Sequence, residues 1–139
     1  PAATTSSQEG DDGLQERDVR EFLESYAQAL SSGDVARIAA NWHVPCLVVS
    51  PQGVIAVDNG SQVESFFRAS VADYHSKGIT AARLAAADVT VVSSAVAAAD
   101  VRWDHPSPDG GTLGGEHAFY VVSAGPDGRL GIDLYSPGD

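Results

Sequence analysis

Acid–base chemistry is what the reactive side chains of this sequence could support. Two carboxylates sit in β-type, largely apolar runs near the C-terminus, Glu116 in GEHAFYVV and Asp133 in RLGIDLY. Apolar surroundings disfavour the charged form of a carboxylate, which suits it to take up or give a proton near neutral pH. Phenols at Tyr26 and Tyr120 could donate hydrogen bonds. The histidines His43, His75, His105 and His117 show no HxH or HExxH spacing. Glu116 and His117 are adjacent, so on a strand they point to opposite faces, and no metal set is expected. His43, beside Trp42, either satisfies a helix end or stands near a pocket mouth. His105 shares a face with Val101 and Trp103 and could reach a pocket rim, while His75 reads as solvated. The single cysteine, Cys46, lies in HVPCLVV and reads as a buried, inert thiol. No nucleophile elbow, Ser-His-Asp pattern or phosphate-cradling glycine motif is present.

The elements that must position these groups follow from periodicity. Residues 1–13, PAATTSSQEGDDG, are small, polar and acidic and are expected to form a disordered tail, with one domain over 14–139. Val19, Phe22, Leu23, Tyr26, Ala27 and Leu30 recur at helical spacing. Asp12 is a candidate N-cap for that helix, and Gly33 its left-handed stop. Asp34 caps a second helix that carries Trp42 on its apolar face and ends at Pro45. Strands at Leu47–Ser50 and Val54–Val57 come next. Ser61 and Glu64 form a capping box opening a third helix with Val63, Phe66, Phe67, Val71 and Tyr74 inward. Residues 80–93 read as one bent strand or two short ones. Ala95–His105, Glu116–Ala124 and Arg129–Tyr135 then make an antiparallel meander. Helices first and a meander last predict an α+β domain, one curved sheet over helices with a pocket between them.

The chain of 139 residues fits one domain with a substantial core. A net charge of -11 repels phosphate backbones and anionic lipid, so neither nucleic acid nor membrane is expected as a partner. No apolar run reaches membrane-spanning length and no signal-peptide pattern opens the chain, so a cytoplasmic protein is expected.

The segment YAQALSSGDVARIAANW, the VVSP end of the first strand, the Ser61 helix and the closing DGRL strand together resemble the nuclear transport factor 2-like superfamily. That group includes ketosteroid isomerases, SnoaL-like polyketide cyclases and scytalone dehydratases. The resemblance covers residues 14–136. It implies a cystatin-like cone, a mixed or antiparallel sheet curved around about three N-terminal helices, with a cavity on the concave side.

The closing strand then has two readings. If its apolar residues Leu130, Ile132 and Leu134 face the core, Asp133 faces water. Matching the GRL turn to the isomerases instead puts Asp133 and Tyr135 in the cavity. Phe119, Val121, Leu130, Ile132 and Leu134 would then form an outer apolar row, expected to meet a second copy in a homodimer.

The isomerase mechanism does not carry over residue by residue. Tyr26 matches the isomerase phenol, but the base position holds Ser50 and the second acid's position holds Tyr120. SnoaL-like cyclases carry a candidate base on the closing strand, matched by Asp133. The resemblance thus implies a cofactor-free isomerase, cyclase or dehydratase acting on an apolar, carbonyl-bearing ligand. In the expected catalytic set Asp133 is the base, Tyr26 and Tyr120 are the hydroxyl donors that polarise the carbonyl, and Glu116 is a rival base on the neighbouring strand. Trp42, His43, Phe66, Trp103, His105 and Tyr135 are expected around the ligand. The alternative is a non-catalytic hydrophobic-ligand-binding or dimerisation module of the same fold. An inward carboxylate with a hydroxyl or imidazole partner across an enclosed cavity separates the two.

Overall fold

A computed structural model describes residues 13–138, so the expected tail, apart from Gly13, and its Asp12 cap lie outside the described residues. The elements run α1 (Glu16–Ser32), α2 (Val35–Ala39), β1 (Trp42–Ser50), β2 (Gly53–Val57), α3 (Gly60–Ser76), β3 (Arg83–Val91), β4 (Val96–Pro106), β5 (Thr112–Ala124) and β6 (Leu130–Pro137). They form the α+β cystatin-like arrangement, helices against one six-stranded sheet of order β2-β1-β6-β5-β4-β3. Among the described residues only the β1–β6 pairing is parallel, so the sheet is mixed.

α1 buries Val19, Leu23, Tyr26, Ala27 and Ala29, a stripe at three- and four-residue spacing that lies on the sheet. It opens on a reciprocal box between Gln15 and Asp18 and stops at Gly33, whose φ of 70° suits a residue without Cβ. α2 is shorter than its sequence suggests, and Trp42 opens β1 instead of ending a helix. Pro45 disfavours helical backbone at Val44, and so short a helix has little cooperativity of its own. The cap of α3 also shifts. Asn59 accepts from the Gln62 backbone at 3.0 Å, and the Gln62 side chain accepts from the backbones of Asn59 and Asp58. This box offers the same reciprocal bonding as Ser61 and Glu64 but begins earlier, so the helix starts earlier.

On β4 the buried residues alternate as Ala97, Ala99, Val101, Trp103 and His105, and on β5 as Ala118, Tyr120 and Val122. On β6 the alternation breaks. Val121 pairs with Leu134 but Val122 pairs with Ile132, which leaves Asp133 as an extra residue in a bulge. Opposite it on β1, Trp42 pairs with Ile132 and Leu47 with Leu134, so residues 43–46 bulge as well. The bulge lets both sequence readings hold over part of the strand. Tyr135 joins the inner face beside Tyr120, and Ile132 also points inward, fully buried with Val122. The expected outer apolar row is therefore corrected. Ile132 belongs to the core, half-buried Leu130 shares its phase opposite Ala124, and Phe119, Val121 and Leu134 remain outside. Among the described residues, no helix is long and apolar enough to cross a membrane.

Candidate functional site

A cavity of about 110 Å³ lies between the inner face of the sheet, α1, α3 and the connection from Ile79 to Ala82. Two indole–phenol hydrogen bonds join residues of its lining. Trp42 Nε1 donates to Tyr26 Oη at 3.1 Å, and Trp103 Nε1 donates to Tyr120 Oη at 3.0 Å. An indole nitrogen can only donate, so each phenol oxygen accepts and keeps its own proton to give elsewhere. Burial pushes the Tyr26 phenol well above its ordinary range, with the neighbouring Tyr120 adding to the effect. Burial likewise raises Tyr120, against the opposing pull of the Trp103 bond. Both phenols are therefore hydrogen-bond donors at neutral pH and not bases.

Nearer the opening, three side chains from three elements converge. Glu116 stands on β5 opposite Trp103, and His105 follows two residues later on the same face of β4. Tyr74 comes from the last turn of α3 and donates from Oη to Glu116 Oε1 at 2.5 Å. His105 Nε2 lies 3.2 Å from Glu116 Oε2, while its Nδ1 lies 3.3 Å from the Ala81 carbonyl oxygen. A carbonyl can only accept, so Nδ1 carries a proton. Nε2 and Glu116 Oε2 face the same point, so a proton gained there is shared by the two. His105 is buried at 6% exposure, and its ring leans on Tyr74 with centroids 5.3 Å apart. The Glu116 side chain is 47% exposed, so the pair joins the cavity to solvent. Burial raises the Tyr74 phenol first, and its bond to Glu116 raises it further.

Asp133 is elsewhere, which corrects the expectation that it faces the cavity. The bulge turns its carboxylate toward His43, whose Nδ1 lies 2.8 Å from Asp133 Oδ1. His43 alternates with inward Trp42 on β1 and so points to the outer face. There its ring covers Gly131, where a Cβ would come within 2.6 Å of it. Ser123 Oγ lies 3.5 Å from the same Nδ1. A serine-hydrolase triad needs hydroxyl and acid on opposite ring nitrogens, so this trio is not one. Among the described residues, Asp133 Oδ2 is buried without a hydrogen-bond partner. Cys46 is buried nearby, its thiol raised by burial and then by the Asp133 charge. Ser50 bonds to Gln52 on the surface.

Of the residues singled out from sequence, Tyr26, Glu116 and Tyr120 line the cavity, as do Trp42, Phe66, Trp103, His105 and Tyr135. Asp133 and His43 do not. Sequence reasoning gave Tyr74 a packing role and missed its bond to Glu116. The available signal was a phenol on an inward helix face, which needs a partner for its hydroxyl. His75, read as solvated, is exposed yet borders the cavity. Among the described residues no three His, Cys, Asp or Glu side chains converge as a metal set.

A comparison with curated proteins finds no match. Among solved structures, an NTF2-like protein with a cystatin-like fold from Novosphingobium aromaticivorans superposes with a TM-score of 0.69 at 15% identity, over 97% of this chain and 86% of that one. An NTF-2 like protein of unknown function from Shewanella oneidensis gives 0.69 at 15% identity, over 91% and 100%. Aln2 from a Streptomyces species gives 0.68 at 13% identity, over 86% and 86%. At these identities the likeness is one of fold. A family model described as NTF2-like protein (DUF6841) matches residues 15–132, and the chain belongs to that NTF2-like family.

Proposed function

We propose that this protein is a cofactor-free acid–base enzyme of isomerase, cyclase or dehydratase type, acting on an apolar, carbonyl-bearing small molecule with Glu116 as its base. One observation carries the reading: Glu116 is a cavity-lining carboxylate with both a hydroxyl partner, Tyr74, and an imidazole partner, His105. In this reading Glu116 takes a proton from carbon beside the carbonyl. The C–H electron pair moves into the carbonyl, and its oxygen gains negative charge. Tyr120 or Tyr26 donates to that oxygen, each phenol already accepting from an indole. His105 shares the captured proton and lets it return to a different atom of the intermediate. Tyr74 holds Glu116 Oε1, which leaves Oε2 for the exchange.

The test is Glu116→Gln against Asp133→Asn in a screen of carbonyl compounds, with folding checked by circular dichroism. Turnover lost in the first and kept in the second is the expected outcome. Binding without turnover in the unaltered protein would favour the alternative, a hydrophobic-ligand-binding module. We also propose a homodimer through the outer sheet face, where Phe119 stays 39% exposed among Val121 and Leu134. Phe119→Glu should then give a monomer by analytical ultracentrifugation. A native protein that already sediments as a monomer removes this part of the proposal.

A further inference from the structure

We infer that the ligand of this cavity is a single-ring carbonyl compound, or an open-chain one of similar bulk, and not a polycycle. The inference rests on reading the cavity as the reacting site and adds the size class of what enters it. The cavity volume is about 110 Å³. An apolar cavity of about 150 Å³ takes up one benzene molecule. The space here is therefore that of one small ring, without room for a second fused to it.

The walls are already in contact with one another. Tyr26 meets Tyr120 edge to face at 6.3 Å, and Tyr120 stacks on Tyr135 at 5.6 Å. Trp42 meets Tyr135 at 6.1 Å and Phe67 at 5.8 Å. These separations are those of touching aromatic pairs. A second fused ring could enter the deep end only by parting such pairs. Parting them would also strain the bonds from Trp42 to Tyr26 and from Trp103 to Tyr120. A larger ligand would instead leave its further rings outside the opening, in water, where they add little affinity.

A single ring still satisfies the polar groups. A carbonyl oxygen and the hydrogen on the next carbon lie on neighbouring ring atoms. One small ketone can therefore accept from a phenol while it presents its acidic C–H to Glu116.

The experiment titrates the full-length chain with cyclohexenone, a fused bicyclic enone and a tetracyclic steroid enone. Trp42 and Trp103 both line the cavity, so quenching of tryptophan fluorescence reports occupancy. A buried second ring would tighten binding by about a hundredfold, from the apolar surface it removes from water. The expected result is quenching by cyclohexenone and a gain of less than about threefold for either larger compound. A bicycle or steroid that binds at least about tenfold tighter than the monocycle overturns the inference. So does the absence of quenching by every member up to its solubility limit. Phe67→Ala enlarges the cavity and should restore at least a tenfold gain for the bicycle. Unchanged bicycle affinity in the folded variant overturns the argument from the walls. Val71→Ala, a milder change to the same lining, gives the same reading where Phe67→Ala does not fold.

The readout is binding, so its failure is distinct from that of the catalytic reading. Tighter steroid binding sinks the size limit and leaves Glu116 as the base. Turnover that survives Glu116→Gln sinks the base and leaves the size limit standing.

Discussion

On the inner face of the sheet Glu116 and His105 meet at 3.2 Å beside a cavity, and on the outer face Asp133 and His43 meet at 2.8 Å beside two glycines. The outer pair has the shorter contact. Yet the inner pair has the surroundings that chemistry needs. Its imidazole is held in one tautomer by the Ala81 carbonyl, its carboxylate is held by Tyr74, and phenol donors stand across the cavity. The outer imidazole packs against Gly131 and Gly125, with acid and hydroxyl crowding the same nitrogen. A close histidine–carboxylate contact does not mark a reacting site by itself. What counts is whether the next atoms belong to an enclosed space or to packed backbone.

The largest expected effect separates the two pairs directly. Glu116→Gln should lower turnover by about a hundredfold or more, the contribution of a positioned base. Asp133→Asn should leave it within about twofold and cost less than about 1 kcal/mol of stability. Equal losses of turnover in the two variants would erase the distinction. On the outer face the response should be structural. Gly131→Ala forces a Cβ to within 2.6 Å of the His43 ring and should cost about 1–3 kcal/mol in urea unfolding. Adding His43→Ala should recover most of that loss. No recovery would mean the ring is not what fills the space.

A smaller effect tests how the inner pair is held. Tyr74→Phe removes a hydrogen bond to a carboxylate and should lower turnover by about tenfold with a displaced pH profile. A change in KM alone would make Tyr74 a ligand contact and not a support for Glu116.

The smallest effect is alkaline. Burial raises the phenols of Tyr26, Tyr120 and Tyr135, with neighbouring phenols or Glu116 adding to it. Unfolded tyrosine ionises near about pH 10, so above that pH the folded chain holds more protons than the unfolded one. This contribution to stability is complete below about pH 10 and is lost as pH climbs through the raised folded values. The urea midpoint should fall above pH 10, and Tyr120→Phe should shallow the fall while Asp133→Asn leaves it unaltered. The same slope in all three proteins would show that the inner phenols are not the source.

Much of the fold was legible because local periodicity survived folding. The α1 stripe, the Gly33 stop, the Phe67 face of α3 and the closing meander all obey single-element rules. The same rules placed most of the aromatic lining, since Trp103, Tyr120 and Tyr135 keep strand alternation. They failed where two strands bulge against each other. Alternation read straight through Asp133 sends it to the same face as Tyr135, but one extra residue breaks the phase between them. The break arises from pairing with residues 43–46 of β1 across a long stretch of sequence, where Pro45, read as a helix end, marks a bulge instead. The bond between Tyr74 and Glu116 was hidden for a similar reason. It joins a helix end to a strand that meet only in the closed fold.

By itself the sequence determined the α+β class, the α1 stripe and the choice of Tyr26, Tyr120 and Glu116 as groups able to handle protons, since these depend on residue type and short-range spacing. Only the tertiary structure decided which carboxylate faces the hollow. That choice turns on strand register, and register is set by the total packing of β1, β5 and β6 rather than by any one of them.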